Sequence, residues 1–276
     1  MEVLPFTSLT EAAVAVLQTP DPMEKAWLGR QVAGAWREGV LVEIGSAIPP
    51  DRPARPEKPE LLPPNRVKKR KITALPAGRA ALLHALAHIE LNAIDLAWDI
   101  AARFAGCDLP RGFFDDWVRV ADDEARHFLM LCDRLAALDS FYGALPAHDG
   151  LWEASQNTAH DLLARLAVVP LVLEARGLDV TPAMVEKLRT AGDEASAGAL
   201  QIIHDDEITH VAAGRRWFEW EAERRGVEPV STYHDLVRRY FRGLLKPPFN
   251  TRSRDLADFK AIYYEPLAMP LKTAPQ

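Results

Sequence analysis

The chain is poor in cysteine. Its 276 residues include only Cys107 and Cys132, which form no CxxC pair. That excludes a disulfide framework and a cysteine-built metal site, and it points to a reducing cytoplasm. No stretch of about 18 uncharged apolar residues occurs, so no membrane span is expected. A basic region ahead of an apolar run is also missing. The start, MEVLPFTSLTEAAVAVL, carries Glu2 and Glu11 and reads as a short amphipathic helix rather than a signal peptide. Positive charge is not in excess. The net charge is −6 and the pI near 5.8, which argues against an obligate nucleic-acid binder. Strand-like alternation of apolar and polar residues is absent too, so little sheet is expected.

What the chain does have is helical patterning. Hydrophobic residues make up 48%, enough for a sizeable core. Ala, Leu, Glu and Arg recur at helical spacing. Two helices are expected between Ser8 and Gly39, split by Thr19-Pro20-Asp21-Pro22, where Asp21 and Pro22 suit an N-cap and first turn. Residues 49–64, PPDRPARPEKPELLPP, hold too much proline for a helix and should run extended on the surface. The basic run Arg66 to Lys71 follows. It reads either as a solvated linker or as a patch for an anionic substrate or nucleic acid.

Four long helices are expected near 77–105, 112–139, 151–177 and 193–225. A short one at 182–191 is expected to be capped by Thr181 and opened by Pro182. Gly106, Gly177 and Gly226 suit C-caps, and Pro170 should kink the third long helix. A further helix near 231–245 ends at Lys246-Pro247-Pro248, and the tail with Tyr263 and Tyr264 should pack back on the bundle. The expected architecture is a single all-α domain over 1–276. It comprises N-terminal helices (1–48), a proline-rich and basic extended segment (49–75), a four-helix bundle (76–226) and a C-terminal helix and tail (227–276).

Each long helix places one glutamate in its apolar stripe. At about 100° per residue, Glu90 falls among Leu83, Leu86, Ala87, Ile94 and Ala97. Glu124 sits among Trp117, Val120, Ala121, Phe128 and Leu131. Glu174 follows Leu163, Leu166, Ala167 and Leu171. Glu207 lies between Leu200, Ile203, Val211 and Gly214. A lone buried carboxylate is costly, so such residues are paired, protonated or bound to metal. On two of the helices a histidine follows three residues later, His127 and His210, on the same face. A Glu from each of two helices plus Glu-x-x-His from two others is the di-metal carboxylate pattern. Carboxylates bridge and neutralise two cations, and imidazole adds a nitrogen donor suited to iron. The order repeats: Glu90 to Glu124 spans 34 positions, Glu174 to Glu207 spans 33, and Glu124 to Glu207 and His127 to His210 both span 83.

Both motifs read Asp-Glu-x-x-His. Asp123 and Asp206 are therefore expected to support the histidine of the opposite motif, because metal-bound imidazoles usually donate their other N–H to a carboxylate or carbonyl. His204, one turn before Glu207, is either an extra ligand or a supporting donor. His84 and His88 fall toward the polar edge of their helix, near Asp95 and Asp99, and are expected at the surface or rim. Trp98, Trp117 and Trp217 are expected in the core.

The segments LLHALAHIELNAIDLAWD, DDEARHF, LEARGLDVTP and HDDEITHV, with ARPEKPELLPP and LKPPFN, resemble the ferritin-like proteins of domain-of-unknown-function family 455. By motif the chain is also similar to the di-iron hydroxylases that act on 2-methylthio-isopentenyladenosine in tRNA. The resemblance implies a ferritin-like bundle holding two iron ions, with Mn/Fe or Mn as alternatives. It implies an O₂-activating oxidoreductase or hydroxylase with a small-molecule or modified-nucleotide substrate and an electron donor. Two alternatives stand beside it. One is iron storage, ferroxidase or peroxide removal, although residues 1–75 and 227–276 would obstruct a ferritin shell and no CxxC iron site exists. The other is a metal-stabilised, non-catalytic binding protein, with the basic run keeping an RNA partner in play.

Overall fold

A computed structural model describes residues 5–67 and 75–269, and the fold is all-α. Most of the basic run, residues 68–71, lies outside the described residues. Among them the only extended pairing is one parallel bridge, Leu61 with Ala147.

Local chemistry sets the first elements. Helix α1 is Leu9–Gln18, capped by Ser8, whose hydroxyl accepts from the Glu11 N–H. The Glu11 carboxylate reaches back to accept from the Thr7 N–H and hydroxyl, closing the entry in the manner of a capping box. Helix α2, Pro22–Arg37, starts as expected, with Asp21 accepting from the Met23 and Glu24 N–H groups. Helix α3 is Pro76–Arg103 and α4 is Arg111–Ala136. Gly106 does not cap α3. A short 3-10 turn covers Ala105–Cys107, and Asp108 takes the left-handed conformation with φ 53°.

The third long helix departs most from expectation. Helix α5, Gly150–Asn157, stops short, and α6 begins afresh at Leu162–Val168 with Asp161 as its cap. Buried Arg165 stabilises the break by donating to Thr158 Oγ1 at 3.1 Å and to the Ser155 carbonyl at 2.8 Å. A π-helical turn covers Val169–Glu174, with Pro170 near its start. Helix α7, Ala175–Thr190, then runs through both Gly177 and Pro182. Neither expected boundary exists. Pro182 cannot donate to the Leu178 carbonyl, but Asn250 Nδ2 donates there instead at 3.1 Å, which lowers the cost of an internal proline. Tyr233 likewise donates its hydroxyl proton to the Leu171 carbonyl, and Arg254 donates to Ala175.

Helix α8, Glu194–Arg224, is the longest. Gly192 and Gly226 flank it with φ 76° and 67°, a conformation glycine adopts without a Cβ penalty. Helix α9, Pro229–Tyr240, ends earlier than expected; α10 is Thr251–Leu256 and α11 is Ala261–Tyr264. The tail packs as expected. Tyr263 donates to Glu219 at 2.7 Å, and the Tyr264 ring lies against Phe249 and Phe259.

The chain forms two compact units, Met1–Glu153 with Met184–Leu200, and Ala154–Ala183 with Gln201–Gln276. In the first, α3 and α4 pack along each other, α1 packs on α3, and α2 on α4. By length and composition α3 could cross a membrane, but its apolar window is 83% buried in the protein, which marks a core helix. The proline-rich segment is extended, as expected, and is strapped to this unit. Ala54 N donates to the Leu17 carbonyl, Leu62 N to Ala147, and Trp152 Nε1 to Asp51. In the second unit α6 packs on α9, and α11 on α9.

Candidate metal centre

In the first unit, α3 brings Glu90 to the face of α4 that carries Glu124 and His127. All three side chains are buried. His127 Nδ1 lies 3.4 Å from Glu90 Oε2 and 3.4 Å from Glu124 Oε2. The donor atoms of the three lie within 4.8 Å of one another. The Glu90 carboxyl is held well above the ordinary carboxylate range, first by burial and then by the charge of Glu124, with His127 opposing both. Two carboxylates forced together away from water disfavour joint ionisation unless a cation joins them. The donor set, oxygen and imidazole nitrogen with no thiolate, suits a divalent transition ion. This buried acidic and histidine cluster can hold a metal ion.

In the second unit, α8 carries Glu207 and His210 one turn apart. His210 Nδ1 lies 3.6 Å from Glu207 Oε2, and both residues are buried. Glu174 closes the π turn and is half-buried. That turn sits hard against α8. A Cβ on Gly214 would come within 2.4 Å of Pro170 Cβ. Gly214 therefore permits the close approach of the two segments, a role that its place in the apolar stripe did not announce. Single π turns recur at functional sites. Gly214→Ala is expected to cost about 1–3 kcal/mol through overpacking, despite the roughly 1 kcal/mol that alanine gains as a helix former. An unchanged or raised melting temperature would show that the contact is not tight.

The residues expected to support the site fall as follows. Asp123 is half-buried and accepts from Arg126 at 3.0 Å. Asp206 is half-buried on α8. Both ring nitrogens of His204 are engaged, Nε2 with Ser253 Oγ at 3.2 Å and Nδ1 with Asp205 at 3.4 Å. Trp98, Trp117 and Trp217 are all buried, as expected of core residues.

His84 and His88 overturn the surface expectation. They are 1% and 6% exposed. Together with Asn92, Asp95 and Asp99 they form a second polar stripe on α3, and its partners are internal. His84 Nε2 accepts from the Gly143 N–H at 2.9 Å. His88 Nε2 donates to the His148 carbonyl at 3.0 Å, while Nδ1 accepts from the Tyr142 hydroxyl at 2.9 Å. Burial lowers the His88 pKa to about 4, so the ring is neutral. Asp95 meets Lys25 at 2.5 Å and Arg55 at 3.0 Å. Asp99 takes Arg103, which also donates to the Pro50 carbonyl. These groups hold the α2 lysine and the proline-rich strap to α3, and their imidazoles are committed to hydrogen bonds. Their spacings of 4, 4, 3 and 4 along α3 mark one polar stripe but say nothing of its burial.

The family described as Protein of unknown function (DUF455) matches residues 18–265. The chain belongs to that family. A family relative from Haemophilus influenzae (strain ATCC 51907 / DSM 11121 / KW20 / Rd), named only as an uncharacterized protein, is 40% identical over 264 residues, covering 92% of this chain and 91% of that protein. No solved structure matches the chain.

Proposed function

We propose that the protein is a di-metal carboxylate oxidoreductase with two iron ions in a ferritin-like bundle. The observation that carries this reading is the buried Glu90–Glu124–His127 set. Its sequence counterpart, Glu174, Glu207 and His210, repeats the same residue types in the same order, and Glu207 and His210 already lie side by side on α8. Six such donors supply the charge and the nitrogen ligands that a pair of divalent ions needs. When bound, the pair would supply O₂ activation for oxidation or hydroxylation of a small-molecule or modified-nucleotide substrate, with electrons from an external donor.

The chain's own contribution is position and dryness. Helices α3 and α4 hold Glu90, Glu124 and His127 out of water, which strengthens every charge interaction there. In this reading Asp123 and Asp206 orient the histidines, while His204, one turn from Glu207, keeps its ring nitrogens on Ser253 and Asp205. The cysteine-poor composition fits a cytoplasmic enzyme.

Anaerobic iron loading, metal analysis and a spectrum recorded after O₂ addition test this reading. Two irons per chain and an O₂-dependent spectral change are expected in the wild type. Loss of both is expected in Glu124→Ala and in His210→Ala. Normal metal content in both variants would sink the proposal.

A further inference from the structure

The second unit contains a cavity of about 460 Å³, within the range of small-molecule sites. Its walls are mostly apolar: Leu171, Val172 and Leu173 from the π turn, with Phe241, Leu244 and Phe249 opposite. Its charges are one-sided. Arg176, Arg242, Lys246 and Arg254 line it, against the single carboxylate of Asp179. That carboxylate is already committed. It accepts from Arg254 Nε at 2.9 Å and Nη2 at 2.8 Å, and lies 3.4 Å from Arg176 Nη1. Among the described residues no acidic side chain pairs with Arg242 or Lys246.

Arg254 is the informative residue. It is 3% exposed. Its guanidinium lies 4.3 Å from the centre of the Tyr264 ring and 5.0 Å from that of Phe249. Nη2 also donates to the Ala175 carbonyl at 3.2 Å. Nη1 is buried, and among the described residues it has no hydrogen-bond acceptor. A buried charged donor left without an acceptor is costly; Asp179 holds the Nε and Nη2 edge, so Nη1 is the atom that a carboxylate or phosphate oxygen would complete in a charge-assisted hydrogen bond.

We propose that this cavity binds an amphiphilic oxyanion, an apolar body carrying one carboxylate or phosphate. The body lies along the π-turn leucines and Phe241. The head completes Arg254, with Arg242 and Lys246 at the rim drawing it in. The assignment does not require the metal centre. Where that centre is loaded, the ligand packs against the same turn that ends in Glu174.

The test is calorimetric titration of the full chain, both metal-depleted and iron-loaded, with octanoate, octyl phosphate, octanol and octyltrimethylammonium. At least one oxyanion is expected to bind about tenfold or more tightly than octanol, a difference near 1.4 kcal/mol, and the ammonium probe is expected not to bind. The two oxyanions together identify the head group. Arg254→Lys keeps the charge but removes the Nη1 donor, and should cost the oxyanion about tenfold while sparing octanol. Because Arg254 is packed between rings, the exposed pair Arg242→Gln/Lys246→Gln provides a second variant, expected to weaken the oxyanion about tenfold with an unchanged circular dichroism spectrum. Equal binding of octanol and both oxyanions, no binding of any probe, or wild-type affinity in the Arg242/Lys246 variant would overturn the proposal. Binding is read separately from metal content, so failure here leaves the metal assignment standing, and the reverse holds too.

Discussion

Glu124→Gln is expected to abolish metal uptake and, at the same time, to stabilise the metal-free protein. The amide keeps the size of the side chain and removes its charge. Glu124 lies fully buried beside Glu90, and its charge helps to push the Glu90 carboxyl up. Removing that charge relieves the electrostatic crowding of two carboxyls held away from water, so the chelated variant should melt above the chelated wild type. On the proposed reading, a ligand set for cations is strained without them, which is the usual conflict between function and stability. If Glu124 served only as the ion-pair partner of a protonated His127, the sign would reverse, because neutralising it would strand a buried cation. Thermal melts with chelator and with iron distinguish the two. Wild type should melt higher with iron, by about 4 kcal/mol of linkage when free metal is a thousandfold above its Kd. Glu124→Gln should show no iron effect and a higher melting temperature than chelated wild type. A lower one, or a retained iron shift, would remove Glu124 from the ligand set.

The ligand candidates were legible in the sequence because each breaks a local rule. Glu90, Glu124, Glu174 and Glu207 sit where apolar residues belong, and a violation repeated at matching intervals is informative. Helix boundaries near Asp21-Pro22, Gly192 and Gly226 were legible because caps are local. The opposite face of α3 was not. A helical wheel treats a polar edge as solvent-facing, but Asp95 is buried against Lys25, 70 positions earlier in the chain. No local pattern announces so distant a partner. The boundaries expected at Gly177 and Pro182 failed for the same reason. Glycine and proline there read as helix ends, yet the helix continues because Asn250 and Arg254 satisfy carbonyls from more than 60 positions away. Propensity sees only the lost hydrogen bond; the tertiary fold supplies its replacement.

Asp95→Ala is expected to be the most damaging substitution outside the candidate metal ligands. Lys25 and Asp95 are 1% and 0% exposed and 2.5 Å apart. Burial pulls the Lys25 pKa down while Asp95 holds it up. Removing one partner of a buried pair typically costs about 3–5 kcal/mol, because the other charge stays behind. Here the loss is compounded, since Arg55 also rests on Asp95. At a few degrees per kcal/mol for a chain of this size, the melting temperature should fall by about 10 °C. The damage should reach the proline-rich strap first. Arg55, paired with Asp95, and the Ala54 carbonyl, which accepts from Lys25 at 3.2 Å, both tie that strap to the pair. Limited proteolysis should therefore cut within residues 49–64 faster in Asp95→Ala than in wild type. The double variant Lys25→Met/Asp95→Leu removes both charges with similar volume, and should recover most of the lost stability. A single variant that melts within 2 °C of wild type, or a double variant as unstable as the single, would show that the strap is held by its backbone contacts rather than by this ion pair.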